Sequence, residues 1–172
     1  CADIAGNSFC FVGQALGGTT LAVFQGLLVL FLAPAAGISL TFTAVVAVIA
    51  VMCLVAFGLT SLGLLIAWRM DSTQGFHAIM NLILLPMWLL SGAFFPVSGV
   101  PSWLEWVMRL NPLTYGMAAL RHALYLGGPG LSGPIPSPGV SLLITVGFAV
   151  LTYIAATRMA SRRSLIQQGS LA

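Results

Sequence analysis

Four long apolar runs alternate with short polar segments along the sequence. They cover residues 14–33, 40–67, 75–95 and 140–157. A helix needs about 20 mostly apolar residues to cross the hydrocarbon core of a bilayer. It also satisfies its backbone hydrogen bonds within itself, as lipid requires. The pattern therefore predicts four transmembrane helices, of which the second is longer than one crossing needs.

A different pattern follows the third run. From Trp103 to Leu110, apolar residues recur at three- and four-residue steps, which is the period of an amphipathic helix. Glu105 and Arg109 stand four residues apart on its polar side, where they form a favourable pair. The segment is too short and too polar for a span. We expect it at the outer membrane interface, or dipping partway into the bilayer.

A second short helix is predicted directly afterwards. Asn111 and Pro112 are typical of a helix start, with asparagine as the N-cap and proline at the first helical position. This helix should run from Leu113 to Tyr125, because residues 127–139 (GGPGLSGPIPSPG) interrupt regular structure. The predicted fold class is therefore all-α: a polytopic helical membrane protein with four transmembrane helices plus two short outer interfacial helices.

The first run is bordered by glycine and proline signals. Gly13 and Gly17 have the spacing that lets two helix backbones approach closely in lipid. Residues 34–37 (PAAG) predict a short turn, so the first two helices should form an antiparallel hairpin. Residues 1–13 show no strong pattern and are expected to be weakly structured.

The third run has a start signal and an internal proline. Asp71 or Ser72 is expected to cap its N-terminus. Pro86 removes a backbone donor and should kink or break the helix at that point. The carbonyl that proline frees then needs a partner from a neighbouring helix, a side chain or water.

The composition belongs to a membrane protein. Hydrophobic residues make up 59% of the chain and charged residues 5%, whereas soluble domains carry about 25% charged residues. The net charge of +3 is too sparse for a nucleic-acid surface, which needs a basic patch or stripe. No nucleic-acid partner is expected.

All of the positive charge comes from arginine, and it is unevenly placed. Arg109 and Arg121 lie between the third and fourth runs. The other four arginines fall on the opposite side of the membrane in this topology: Arg69, Arg158, Arg162 and Arg163. Because cytoplasmic loops carry the excess of positive charge, both termini are expected in the cytoplasm.

Enzyme chemistry is not expected. The phosphate-binding motif G-x-x-x-x-G-K-[ST] does not occur in the sequence. The two histidines and three carboxylates have no spacing that suggests a catalytic set, and the three cysteines have no metal-type spacing. No catalytic, cofactor or metal site is therefore predicted.

Four polar residues of the runs are candidates for a transport pathway or for helix packing: Gln25, Gln74, His77 and Asn81. A polar side chain in a span tends to face the bundle interior. Gln25 and Asn81 are expected to bridge helices through hydrogen bonds of about 1 kcal/mol each. His77 lies near the cytoplasmic end of its span, where solvation at the interface is favoured over proton relay.

Residues 84–125 (LLPMWLLSGAFFPVSGVPSWLEWVMRLNPLTYGMAALRHALY) resemble the ABC-2 type transporter permease family. This family includes daunorubicin-type drug exporters and lipo-oligosaccharide exporters. Residues 16–28 (LGGTTLAVFQGLL) also look like the start of that family's third span. The residues of the outer-loop motif are Asn111, Pro112, Leu113, Thr114, Tyr115 and Arg121.

The resemblance implies six spans per subunit, of which the four runs would be the third to sixth. It also implies a separate ATP-binding subunit, a second permease copy (homo- or heterodimer) and a bacterial inner membrane. Residues 1–13 would be a cytoplasmic segment, truncated or altered, and residues 14–160 the transmembrane domain. The outer helices would lie at about 102–126, and residues 161–172 would form a cytoplasmic tail.

The function implied is export of an amphiphilic, drug-like or lipid-linked substrate, with ATP bound and hydrolysed by the partner subunit. Two alternatives stay open: a non-transporting membrane scaffold or assembly subunit, and a fragment of an ion-coupled carrier. The carrier requires an essential acidic group within the membrane, and no carboxylate lies in the middle of a predicted span.

Overall fold

The computed structural model describes residues 4–37, 40–70, 72–93, 101–126 and 136–169, and helices are the only regular elements in these ranges. The elements are α1 (Ile4–Leu30), a 3₁₀ turn (Ala33–Ala36), α2 (Phe42–Ala67), α3 (Thr73–Trp88), a π-helical turn (Leu89–Ala93), α4 (Ser102–Leu110), α5 (Pro112–Leu124) and α6 (Pro138–Gly169).

Four segments are long and apolar enough to cross a membrane: Phe11–Ala35, Phe42–Ala67, Thr73–Ala93 and Pro138–Met159. They match the four apolar runs to within a few residues, except that residues 94 and 95 lie outside the described ranges. The predicted polytopic all-α fold is confirmed, and α4 and α5 are the two short helices.

The N-terminal segment differs from the prediction of weak structure. α1 already begins at Ile4. No proline interrupts it there, and it has a packing partner, since Phe11 is buried against Ala156 and lies edge-on to the ring of Tyr153 with 6.1 Å between centroids. At the other end of the chain, α6 continues to Gly169, well beyond the predicted end of the fourth span.

The predicted hairpin of α1 and α2 is confirmed. Between them Gly37 has a φ of 79°, a left-handed conformation that glycine adopts at no steric cost. The close helix contact lies at Gly18, where an added Cβ would be 2.7 Å from Thr60 Cγ2. A Cβ on Gly13 or Gly17 would meet no atom of the described residues within 4 Å. The prediction that this pair brings two helices together is therefore wrong for the described part of the chain.

The start of α3 is capped as predicted. Ser72 Oγ accepts a hydrogen bond from the Gly75 N–H at 3.4 Å. Asp71, the other candidate, lies outside the described residues. The serine thus supplies one acceptor to the unpaired amides of the first helical turn.

α5 dips into the bundle between α2 and α6. Ala119 belongs to a buried cluster with Val51 of α2. Gly116 lies so near α2 that an added Cβ would be 2.9 Å from Val55 Cγ2. Val55 stands near the middle of α2, so α5 reaches well into the apolar zone. The short helices were expected either at the membrane interface or dipping partway into the bilayer. The contact of α5 with the middle of α2 fits the second placement.

α4 is more exposed than α5. Trp103 and Trp106 are 68% and 69% exposed on one face, while Met108 is fully buried on the other. Exposed tryptophans suit a membrane–water interface. Glu105 and Arg109 form the predicted i,i+4 ion pair, with 2.6 Å between Oε1 and Nη2.

The two ends of the bundle differ in charge. Phe11, Ala156 and Trp68 pack together at one end, and the exposed Arg69 and Arg158 follow closely in sequence. α4 and α5 lie towards the other end, beside the first turns of α6. This separation matches the arginine distribution, and the assignment of the arginine end to the cytoplasm stays a prediction.

Candidate functional site

α3 ends in an irregular turn within a candidate span. The helix continues through Pro86 to Trp88, and the break lies at Leu89–Ala93, where Gly92 has a φ of 81°. Of the kink or break expected at Pro86, the break is wrong, because the helix runs on to Trp88, and the kink stays a prediction. Proline removes its own N–H, but ending this helix requires a left-handed residue, and glycine supplies it.

The last carbonyls of a helix have no partners in a following turn of the same helix, and lipid offers no donor. Near the end of α3, four backbone carbonyls accept hydrogen bonds from side chains: Met87 O from Asn111 Nδ2 (2.7 Å), Trp88 O from Ser91 Oγ (2.6 Å), Leu90 O from Thr114 Oγ1 (3.2 Å) and Gly92 O from Arg121 Nη2 (2.6 Å). Three of the donors come from outside α3 and its turn, and we call them the α3 cap: Asn111, Thr114 and Arg121.

Asn111 serves two helices at once. Its Oδ1 accepts from the Leu113 N–H at 3.1 Å, which is the predicted N-cap of α5. Its Nδ2 donates to Met87 O. Pro112 occupies the first turn of α5, as predicted, where its missing N–H costs nothing. The asparagine is 7% exposed, so both of its hydrogen bonds are shielded from competing donors.

Thr114 joins three elements. Its hydroxyl lies 2.8 Å from Met108 O of α4 and 3.2 Å from Leu90 O of the turn after α3. A hydroxyl carries one proton, so the two carbonyls share it. The side chain is 7% exposed, and its loss would leave both carbonyls without this donor.

Arg121 places a positive charge at the same helix end. Its Nη2 donates to Gly92 O, the carbonyl of the residue that ends the helix. The C-terminus of a helix carries a partial negative charge, which favours a cation there. A hydrogen bond to a charged group contributes about 1.5–3 kcal/mol. The half-buried arginine therefore stabilises the turn both by direct bonding and by its charge.

The three cap residues share one face of α5. Thr114 follows Asn111 by three residues, and Arg121 follows Thr114 by seven, spacings that place side chains on the same side of a helix. The sequence predicted them as members of one motif but not their common partner. Tyr115, a fourth motif residue, donates from its hydroxyl to Arg109 O at 2.9 Å and so fixes α4 against α5.

The sequence did not predict the contacts of three further residues. Ser91 bonds back to Trp88, a three-residue spacing at which serine commonly contacts its own helix. Met108 is fully buried, with its Cε 4.0 Å from a Cβ built on Gly92, but its position within an amphipathic helix gave no signal of this. Leu113 lines an apolar cavity beside the cap, which a linear sequence cannot show.

The four polar candidates in the spans lie elsewhere. All are exposed on the outer surface of the described chain: Gln25, Gln74, His77 and Asn81. The expectation that Gln25 and Asn81 bridge helices is not met within the residues described, because neither faces the bundle. The three on α3 recur at three- and four-residue steps, so they form one exposed polar face of that helix, which we call the α3 polar face.

The fold and the capped break define a polytopic membrane protein with a short helix inserted beside an interrupted span. The chain belongs to the ABC-2 type transporter family, whose model matches residues 5–125. This confirms the resemblance at the level of the family.

Two curated relatives share one name with each other. The chain is 26% identical over 113 residues to Nodulation protein J of Rhizobium meliloti (strain 1021), an alignment covering 66% of this chain and 41% of the relative. It is 28% identical over 156 residues to Nodulation protein J of Sinorhizobium fredii (strain NBRC 101917 / NGR234), covering 90% and 56%. The chain thus spans about half the length of these relatives. No solved structure shows a significant match.

We predict that Thr114→Val lowers the free energy of unfolding by about 1–3 kcal/mol, because valine keeps the side-chain shape but removes the hydroxyl that donates to Leu90 O and Met108 O. The control is Thr20→Val. Thr20 is exposed, and its hydroxyl bonds only to Gly17 O of its own helix, at 2.9 Å. Thermal unfolding in detergent checks the prediction, and equal melting temperatures for the two variants would contradict it.

Proposed function

We propose that the chain is part of the membrane subunit of an ABC exporter, which moves an amphiphilic, drug-like or lipid-linked substrate across a bacterial inner membrane. Membership of the ABC-2 type transporter family supports this role. The observation that carries the gating part of the proposal is the α3 cap, since it ties the outer helices to the end of a span.

The energy source lies outside this chain. ATP is bound and hydrolysed by a separate subunit, a partner that membership of the ABC-2 type transporter family implies. That subunit contacts the arginine-bearing end of the bundle, which we place in the cytoplasm together with both termini. The uneven arginine count supports this orientation, and α4 and α5 then lie at the outer leaflet.

The outer helices act as part of an exit gate. The cap bonds α5 to the last carbonyls of α3, so a displacement of α3 is transmitted to α5 without breaking the buried hydrogen bonds. Packed elements of this kind move as rigid bodies between two arrangements. Closure of the ATP-binding subunit would then shift α3, α4 and α5 together and open the outer side.

The substrate path runs beside the α3 polar face. Asn81 lies eight residues after Thr73, or about 12 Å along the helix axis, so it is well inside the candidate span. An exposed amide at that depth is unfavourable against lipid. The amide can form hydrogen bonds if α3 faces a second copy of the permease across a hydrated path. The same placement explains why the polar side chains of Gln74 and His77 are exposed.

Replacing both Asn111 and Pro112 with alanine should lower the export rate about tenfold, because loss of about 1.4 kcal/mol of cap stabilisation shifts the gate between its two states. The measurement is ATP-dependent uptake of a fluorescent amphiphile into inverted vesicles containing the full subunit and its ATP-binding partner. Glu105→Gln is the matched control, since it breaks only an exposed ion pair of α4. Normal uptake by the double variant at normal protein level would refute the gate.

Oxidative crosslinking tests the dimer and its path. In a variant whose native cysteines are replaced by alanine, Asn81→Cys should give a disulfide-linked dimer in membranes. Leu143→Cys is the control, because Leu143 is 73% exposed on α6, away from the α3 polar face. A dimer formed through position 143 and not through position 81 would place the interface on α6 and refute this arrangement.

A further inference from the structure

An apolar cavity of about 300 Å³ lies between α1, α2, α5 and the end of α3. Its walls come from all four elements and include Ala22, Met52, Ala56, Trp88, Leu113 and Met117. It is separate from the α3 polar face, and the transport mechanism proposed above does not use it.

The walls of the cavity are mostly apolar. Its lining residues carry two polar side-chain groups, the indole N–H of Trp88 and the hydroxyl of Ser91, which already donates to Trp88 O at 2.6 Å. A buried water needs about two to four polar partners, and cavities with apolar walls stay dry. The chemistry of the walls therefore selects a hydrocarbon ligand over water or a hydrophilic solute.

The cavity adjoins the lipid-facing surface. Two of its wall residues are exposed: Ala22 on α1 and Trp88 at the end of α3, the latter 52% exposed. Leu21, next to Ala22 on α1, is 60% exposed. In a bilayer this face of α1 contacts acyl chains directly, whereas Trp88 lies seven residues after Asn81, on the face of α3 that we place towards the second copy. The compound at the highest concentration at the mouth of the cavity is thus the lipid itself.

We propose that this cavity binds one acyl chain of a membrane phospholipid, which enters between α1 and the end of α3. Moving the acyl chain from the bilayer into the cavity gains no free energy from the hydrophobic effect, because lipid tails are as apolar as leucine. The gain comes from dispersion contacts with walls that otherwise face a void. The bound chain contacts Leu113 and Met117 and so supports the face of α5 that lines the cavity. Neither the ATP-binding partner nor export is needed for this binding.

Photolabelling of the full chain in phosphatidylcholine vesicles tests the proposal. The probe is a phosphatidylcholine with a photoactivatable group in one acyl chain, and labelled residues are mapped by mass spectrometry. The wild-type chain should be labelled at Met117, which lines the cavity, and at Leu143, which faces bulk lipid. Ala56→Phe places a phenyl ring in the cavity and should reduce labelling of Met117 to background while leaving Leu143 unchanged.

Two further variants complete the test. Ala50→Phe makes the same substitution at an exposed position of α2 that does not line the cavity, and it should leave both labels unchanged. Ala22→Phe narrows the mouth of the cavity from the α1 side and should also reduce labelling of Met117 to background. It keeps the proposal testable if Ala56→Phe fails to fold. Absence of label at Met117 in the wild-type chain, or its persistence in both cavity variants, would overturn the proposal.

Discussion

The hydrogen bonds between α5 and the last carbonyls of α3 are the interaction on which the arrangement of α3, α4 and α5 depends. A helix that ends inside a membrane leaves its terminal carbonyls in a medium without donors. Here the amide of Asn111, the hydroxyl of Thr114 and the guanidinium of Arg121 supply them. Each unsatisfied buried carbonyl would cost about 1–3 kcal/mol. α5 is therefore held at a depth that its own amphipathic pattern does not require.

This constraint has a consequence for motion. Because the cap bonds come from one face of a rigid helix, α3 and α5 keep their contacts only if they move together. Glycines permit the close packing that this needs: Gly92 provides the left-handed turn, and Gly116 lets α5 approach Val55 of α2. The apolar cavity beside this contact leaves room for the lipid tail that we propose. A shift of α3 driven from the opposite end of the bundle would thus reach the outer helices.

Much of the fold could be predicted because lipid reduces the choices to helices of known length. The four spans, the start of α5 at Asn111 and the Glu105–Arg109 pair follow from local patterns. What the sequence could not show were contacts between distant segments. Pro86 is the stronger local signal, yet the break occurs at Gly92, because the donors that stabilise it lie more than twenty residues away. Likewise, nothing local shows that Asn81 faces outward.

Hydrogen exchange at the end of α3 tests most directly whether the cap holds this turn. In lipid nanodiscs, the peptide containing residues 87–93 should exchange about tenfold faster in Asn111→Ala than in the wild-type chain, which corresponds to roughly 1.4 kcal/mol of lost local stability. In Asn111→Ala the exchange rate of peptides from α1 should be unchanged. In the control Glu105→Gln the exchange rate of residues 87–93 should also be unchanged. Unaltered exchange of residues 87–93 in Asn111→Ala would show that the turn stands without α5 and would contradict the coupling of the two helices.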